Sequence, residues 1–504
     1  MMTDSTRALP DSNDVRALTG VRGLDTLLAG GFPANRLHLI EGHPGSGKTT
    51  LALQFLLEGR RVGETCLYVT MSETSVELRG VAASHGWSLD GIEIFELSRP
   101  EALAAEQYTL YHPSEIELGE LSRAVLDTID RSKPTRIVLD SLSEMRLLAR
   151  DPLRYRRQIL AFKEYFARKD RTVLMLDDLT GGENDLRLQS IAHGVVRLEQ
   201  EAFEYGRSRR RLRIVKVRGV AVTEGYHDFK IERGGLVVYP QLTPGSSDGS
   251  RTSNIASGVP ELDRLLGGGL TWGTCTLLLG PAGVGKSSLA AQYVTATATE
   301  SPAAVFLFDE RRATFVDRCE HLGMQIRERL RTGQVTIDQV EPGDLSPGEF
   351  AHRIRARVDE GGCRVVLIDS VNGYLHAIPS GHAPLVRMHE LLAYLNERGV
   401  ATLLIAAQHG MMGMQMMAPI DVSYLADCVI LLRYFEAHGA VRKAISVVKK
   451  RTGTHETTIR EFAVGPDRLR VGEPLSDFQG VMTGVPQYVG SAEPLLNKDD
   501  KSGR

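Results

Sequence analysis

The sequence predicts an α/β protein made of two tandem P-loop domains, each a mainly parallel sheet flanked by helices. Three observations predict this. The chain is an internal duplication: residues 19–49, TGVRGLDTLLAGGFPANRLHLIEGHPGSGKT, are matched 238 positions later by residues 257–287, SGVPELDRLLGGGLTWGTCTLLLGPAGVGKS, with Gly20 and Gly258, Asp25 and Asp263, and Lys48 and Lys286 in register. Each copy alternates short apolar runs of strand type with longer helix-like stretches, the pattern of a parallel sheet covered on both faces. Each copy also carries Gly-x-x-x-x-Gly-Lys-Ser/Thr directly after such a run.

Taken along the chain, residues 1–14 form a polar tail without an apolar core, so no leader segment is expected. The first domain spans 15–240, with strands in LHLI, TCLYVT, RIVLD and TVLMLD. Residues 241–254, QLTPGSSDGSRTSN, are rich in Gly, Ser, Pro and Thr and form an exposed linker. The second domain spans 255–485, with strands in CTLLLG, AAVFLFD, RVVLID and ATLLIAA, and residues 486–504 have the composition of a disordered tail.

Composition narrows the function classes. Of the 504 residues 42% are hydrophobic and 24% charged, an ordinary balance for a globular protein, and the 50 glycines suit glycine-dependent loops. A net charge of −3 offers no global attraction to nucleic acid or an anionic membrane, so neither is an expected partner. No run reaches the ~18 apolar residues that a membrane span needs. The five cysteines, Cys66, Cys275, Cys319, Cys363 and Cys428, form no CxxC pair and sit in or beside apolar runs. They read as buried reduced thiols, and a cytoplasmic location follows.

The chemistry begins at the two loops. Gly42 to Thr49 and Gly280 to Ser287 each follow a strand and open a helix. Glycine lets the backbone wrap a phosphate so that successive N–H groups point inward, and the helix start adds partial positive charge. Gly45, Ser46, Gly47, Lys48, Thr49 and Thr50 are the expected ATP ligands of the first copy, and Gly283, Val284, Gly285, Lys286, Ser287 and Ser288 those of the second. Lys48 and Lys286 face the β/γ-phosphates, while the Thr49 and Ser287 hydroxyls ligate Mg²⁺. A carboxylate at the end of a buried strand completes such a metal site, and Asp140 and Asp369, each followed by Ser, fit it. Either could instead cap a turn. Attack by water needs a further carboxylate within hydrogen-bond reach. The strand after each loop helix ends in acid, and Glu73 and Glu310 are the expected bases, with helix capping as the rival role for Glu73.

Together these features resemble the KaiC family within the RecA-like P-loop NTPases. The resemblance covers about residues 15–485 and is carried by TGVRGLDTLLAGG, the acids after the strands, the Asp-Ser pairs, and SYLADCVILLRYFEAHGAVRKAISVVKKRTGTHETTIREF. It implies an ATPase and autokinase with ATP and Mg²⁺ as cofactors, assembled as a homohexamer of two stacked rings with ATP at every subunit interface. It also implies cations that complete a neighbour's site from a Lys-x-Arg at a strand end, here Lys216 and Arg218 in the first copy and Lys449 and Arg451 in the second. The family phosphorylates adjacent Ser and Thr residues of its second domain. Ser423 and Tyr424 stand there, and the long rigid ring of Tyr424 misplaces its hydroxyl for in-line transfer, which leaves Ser423 as the acceptor. A paired acid of the family is kept as Asp309-Glu310 but becomes Ser72-Glu73, so the first copy reads as an ATPase and the second as an ATPase and autokinase. A KaiB-like partner would dock on the first domain near EQYTLYHPSE, residues 106–115. A DNA-dependent motor of the RecA/DnaB kind and a nucleotide-gated scaffold share the phosphate-site residues and stay open as rivals.

Three further features are ambiguous in sequence. The methionine-rich segment 410–417 suits an interface or pore loop. Gln408 either senses the γ-phosphate or caps a turn. The run Arg207 to Arg213 lacks interleaved aromatics, and a solvated hairpin or a cluster facing a neighbouring subunit is favoured over nucleic-acid binding.

Overall fold

The computed structural model describes residues 15–97, 113–149, 151–179, 186–202, 208–242, 253–341, 343, 345–376, 383–408, 423–437, 439–466, 468–481 and 487–490. The expectations for the first 14 residues, for most of the linker, for 106–112 of the proposed docking insertion, for the methionine-rich segment and for the last 14 residues lie outside these. The chain divides into two compact units, residues 1–241 and 242–504.

The first unit contains strands β1 (Leu37–Gly42), β2 (Cys66–Thr70), β3 (Ile92–Glu96), β4 (Arg136–Asp140), β5 (Thr172–Asp177), β6 (Gly194–Glu201), β7 (Arg209–Val217), β8 (His227–Glu232) and β9 (Gly235–Tyr239). They form one sheet in the order β9-β8-β7-β6-β1-β5-β4-β2-β3. From β6 to β3 all neighbours are parallel, and β7 to β9 extend the β6 edge as an antiparallel meander. Its helices include α1 (Lys48–Arg61), α2 (Ser75–Ser84), α3 (Pro113–Ser132), α4 (Leu142–Ala149) and α5 (Pro152–Ala167).

Side chains alternate across each strand, so the sheet is apolar on both faces. In β4, Val138 joins Leu51, Phe55 and Tyr68 in the layer under α1, while Ile137 and Leu139 join Val125, Ile159 and Phe162 under α3 and α5. Two buried layers explain why these runs are continuously apolar rather than alternating.

The second unit repeats the plan with β10 (Cys275–Gly280), β11 (Ala303–Leu307), β12 (Val335–Gln339), β13 (Val365–Asp369), β14 (Ala401–Ala407), β15 (Cys428–Ala437), β16 (Ala440–Lys450), β17 (Arg460–Gly465) and β18 (Arg468–Pro474). Its order is β12-β11-β13-β14-β10-β15-β16-β17-β18. The helices α6 (Lys286–Thr297), α7 (Arg312–His321), α8 (Pro347–Asp359), α9 (Val371–His376) and α10 (Ala383–Glu397) cover its faces. All five cysteines are free and buried, and among the described residues no helix is long and apolar enough to cross a membrane.

Candidate functional site

Each phosphate loop leaves the carboxyl end of a central strand, β1 or β10, where ligands meet open α/β sheets. Gly47 and Gly285 end the loops at φ values of 104° and 114°, in the left-handed region. A Cβ on either would lie 2.7 Å from the Ile231 side chain or 2.8 Å from that of Phe462, so both conformation and space demand glycine. The next residues, Lys48 and Lys286, open α1 and α6 and are buried. Both lysines reach back over their own loops. Lys48 Nζ donates to the carbonyls of Gly42 (2.7 Å) and His43 (3.1 Å), and Lys286 Nζ to those of Gly280 (2.8 Å) and Pro281 (2.7 Å). Burial pushes the Lys286 ammonium down to about 8. Thr50, Ser288 and Val284 are buried beside them, and the buried Ser46 hydroxyl has no partner among the described residues.

Asp140 and Asp369 end β4 and β13, two strands from β1 and β10, and both are buried. Asp140 Oδ2 accepts from the Thr49 hydroxyl at 3.4 Å and the Tyr68 hydroxyl at 2.5 Å, so its side chain points into the site rather than capping a turn. Burial raises its proton affinity, the Tyr68 bond opposes this, and Asp178 raises it further. Asp369 is likewise raised by burial against the pull of the Ser287 hydroxyl, and its Oδ2 has no partner among the described residues. A hydroxyl beside a carboxylate is a hard-oxygen pair of the kind Mg²⁺ takes. No cage of three or more His, Cys, Asp or Glu groups occurs among the described residues. A Mg²⁺ ion brought with a nucleotide would meet one such pair in each unit, Thr49 with Asp140 or Ser287 with Asp369, alongside phosphate and water oxygens.

The acids after β2 and β11 sit differently from expectation. The strands stop at Thr70 and Leu307, and Glu73 and Glu310 lie three residues on, in the turn. The turn forms because the Thr70 hydroxyl accepts from the Glu73 N–H (3.0 Å) and donates to its carbonyl (2.7 Å). Capping of α2 falls to Thr74, in a reciprocal box with Glu77. Glu73 is thus free of that role. Its Oε2 is buried with no partner among the described residues, and burial, then Asp140, Glu77 and Asp178, raise its proton affinity. In the second unit Glu310 is ion-paired with Arg318 of α7, and Asp309 accepts from the Ser370 hydroxyl at 2.5 Å.

Lys216-Arg218 and Lys449-Arg451 lie toward the opposite end of the strands from the loops. Lys216 pairs with Val195 near the start of β6, and Lys449 with Val429 near the start of β15. The loops lie beyond the ends of the neighbouring parallel strands, so these cations do not reach the loop of their own unit. The Lys216 ammonium has no hydrogen-bond partner among the described residues. Burial, then Arg218 and Lys163, lower its proton affinity. Lys449 instead donates to the carbonyls of Ser423 (3.0 Å) and Ala426 (2.7 Å), and Arg451 pairs with Asp427 at 3.3 Å. Ser423 and Tyr424 begin a short 3₁₀ turn, with Tyr424 exposed.

Sequence reasoning missed four participants. Asp178, just past β5, pairs with Lys48 at 2.7 Å, so a carboxylate from a different strand enters the copy that lacks the second acid after β2. Lys163 joins the Lys216 cluster from α5, and Arg318 neutralises Glu310; no motif marks either. Behind the first loop, Glu41 on β1 holds Arg197 (2.9 Å) and the Gln189 amide (3.0 Å) in a buried network. Of the ambiguous features, Gln408 keeps its backbone on Gly280 at 3.2 Å and its buried side-chain oxygen has no partner among the described residues. Within the basic run, Arg211 pairs with Glu199 (3.0 Å) and covers the Tyr226 ring, and Arg213 lies 3.9 Å from Glu199, so the hairpin offsets part of its own charge.

Comparison with known proteins agrees with this geometry. A protein-family model described as "ATPase: KaiC" matches twice, over residues 17–243 and 255–476. The circadian clock protein KaiC3 of Synechocystis sp. is 25% identical over 485 residues, covering 94% of this chain and 95% of its own length. The circadian clock oscillator proteins KaiC of Parasynechococcus marenigrum and Synechococcus elongatus are each 24% identical, over 484 and 502 residues, covering 94% and 97% of this chain and 94% and 96% of their own lengths.

Proposed function

Because the chain belongs to the KaiC family of ATPases, we propose that both units bind and hydrolyse ATP and that the second also phosphorylates Ser423, in a homohexamer of clock or signalling type. In the proposed hydrolysis Lys48 and Lys286 hold the β/γ-phosphates, and Thr49 with Asp140, and Ser287 with Asp369, hold Mg²⁺. The metal supplies charge neutralisation on the phosphate oxygens. Glu73 and Glu310 orient the attacking water and take its proton as the new P–O bond forms and ADP departs. The observation that carries this reading is Glu73: half-buried, with its Oε2 buried and without a partner among the described residues, without a capping role, and raised in proton affinity by burial and by Asp140, as a general base requires.

Lys216 with Arg218, and Lys449 with Arg451, stand toward the wrong end of the strands for their own loops and fit a neighbour's nucleotide. A cation brought in trans to a transferring phosphoryl group is worth about 10³–10⁵ in rate. The Ser423 step is supported by the bonds from Lys449 to the Ser423 and Ala426 carbonyls. A cation that meets a neighbour's γ-phosphate thereby brings the Ser423 hydroxyl to the same place. The hydroxyl oxygen attacks phosphorus, the bond to the bridging oxygen breaks, ADP leaves, and the serine proton passes to a carboxylate of that site. Tyr424 is the weaker acceptor, and a KaiB-like protein remains the partner expected on the first unit.

The test is ATP turnover by E73Q, E310Q and the double variant. The double variant should lose about 10²–10⁴-fold in turnover while still binding ATP, and wild-type turnover by it would refute both bases. Incubation with γ-labelled ATP and Mg²⁺ should label the wild type but not S423A, and equal labelling of S423A excludes Ser423. Light scattering with and without ATP tests the hexamer.

A further inference from the structure

We infer that Asp178 is a competitor built into the first site: its carboxylate occupies the face of Lys48 that the terminal phosphates of a nucleoside triphosphate must take, so this site binds ATP more weakly than its loop would otherwise allow. The inference rests on the reading of Lys48 as a phosphate ligand.

A lysine ammonium has three protons to donate. In the first unit all three are used, on the Gly42 carbonyl (2.7 Å), the His43 carbonyl (3.1 Å) and Asp178 Oδ1 (2.7 Å). In the second unit Lys286 makes the two matching carbonyl bonds, to Gly280 at 2.8 Å and Pro281 at 2.7 Å, and has no third acceptor among the described residues. Asp178 is held in place from behind, since the Ser143 hydroxyl donates to its Oδ2 at 3.2 Å and accepts from its N–H at 3.4 Å.

The duplication supplies the control. β4 pairs with β5 through Arg136 and Thr172, and β13 with β14 through Val365 and Ala401. Asp140 and Asp369 end β4 and β13 at the same step, which places Ala407 where the first unit has Asp178. The backbone frame is retained there: Asn372, at the Ser143 position, bonds the Ala407 N–H at 2.8 Å and its carbonyl at 3.2 Å. Only the carboxylate is missing. In the first site it also adds to Asp140 and Glu73, whose proton affinities it helps raise, so an arriving polyphosphate meets three carboxylates around one lysine.

The experiment uses the full chain and a fluorescent ATP analogue with Mg²⁺. With the second site silenced by K286A, both D178A and D178N should bind the analogue about tenfold more tightly than the K286A parent, the size expected when a charged hydrogen bond no longer has to be broken. With the first site silenced by K48A, A407D should weaken binding at the second site by about the same factor. D178N keeps the side-chain shape and its contacts to Ser143, so a purely structural Asp178 predicts unchanged affinity in D178N. Unchanged or weaker binding by D178N, or no loss in A407D, overturns the competitor. Complete absence of analogue binding to K286A, with or without Asp178, is a different result: it removes Lys48 as a phosphate ligand and the inference with it.

Discussion

Replacing Arg197 by Leu should damage the first unit severely, and replacing Glu41 by Leu in the same chain should repair it. Glu41 and Arg197 face each other across β1 and β6, with side chains 2% and 15% exposed and a contact of 2.9 Å. The cross-strand pair at the corresponding position of the second unit is Leu279 and Leu431, so the duplicated frame already carries the apolar alternative. Removing Arg197 alone takes away two charged donors, Nε at 3.1 Å and Nη2 at 2.9 Å, and leaves a buried carboxylate with, among the described residues, only the Gln189 amide. It also leaves that carboxylate beside buried Asp177, which feels its charge. A broken buried pair costs about 3–5 kcal/mol, whereas replacing both partners by apolar residues is often neutral or stabilising. For a unit of this size R197L should lower the melting midpoint by roughly 6–20 °C, and E41L/R197L should return to within a few degrees of the parent. The chain has two tryptophans, Trp87 and Trp272, packed against the first and second cores respectively. Thermal unfolding followed by fluorescence in a W272F background therefore reports the first unit alone. A double variant as unstable as R197L would refute the reasoning, because the loss would then come from packing and not from a stranded charge.

Four further outcomes are expected. Burial lowers Lys286 to about 8 from an unfolded value near 10.5; between these values the unfolded chain binds the extra proton, so the second unit should gain stability as pH rises from about 8 to 10.5. Over the same range ATP affinity at the second site, measured in K48A, should fall up to tenfold per pH unit, since only the charged lysine attracts phosphate; a flat profile to pH 10 would contradict this. T74A removes the N-cap of α2 and should cost about 1 kcal/mol in urea unfolding while ATP binding is unchanged, because Thr74 and Glu77 carry the cap and Glu73 does not. Burial also raises the Cys66, Cys363 and Cys428 thiols to about 11 and Cys319 to about 12, so a disulfide reagent at pH 8 should find almost no reactive thiol in the native chain and five after denaturation.

The parts of the site legible in the sequence are those whose chemistry is local. A glycine at positive φ, a lysine opening a helix and an aspartate ending a buried strand each announce themselves within a few residues, so Lys48, Thr49 and Asp140 could be singled out in the sequence, and the structure brings them together at one end of the sheet. The capping box of α2 was legible in principle too, because Thr74-Ser75-Val76-Glu77 carries its pattern and would have withdrawn the capping role from Glu73. What was not legible depends on register between distant segments. Glu41 meets Arg197 and Gln189 only because β6 is parallel to β1, and Asp178 meets Lys48 only because β5 is the neighbour of β1. In sequence, the DD of TVLMLDD was simply the end of a strand. The apparent loss of an acid at Ser72 was real along the chain and incomplete in space.

The two copies share one backbone plan but satisfy their cations at opposite ends of the strands. In the first, the loop lysine is held by Asp178, while the Lys216 ammonium has no hydrogen-bond partner among the described residues and is repelled by Arg218 and Lys163. In the second, Lys286 keeps a donor in hand, while Lys449 and Arg451 are tied to the Ser423, Ala426 and Asp427 segment. Under the proposed assembly these arrangements have different consequences. A nucleotide entering the first site must break an ion pair in its own unit, and the cations that meet it from the neighbour give up nothing. A nucleotide at the second site meets a lysine with no carboxylate to displace among the described residues but draws on cations that carry the Ser423 turn with them. Charge placement alone therefore makes the first ring the one whose occupancy is contested. It makes the second the one in which phosphate binding is mechanically joined to the serine that would receive it.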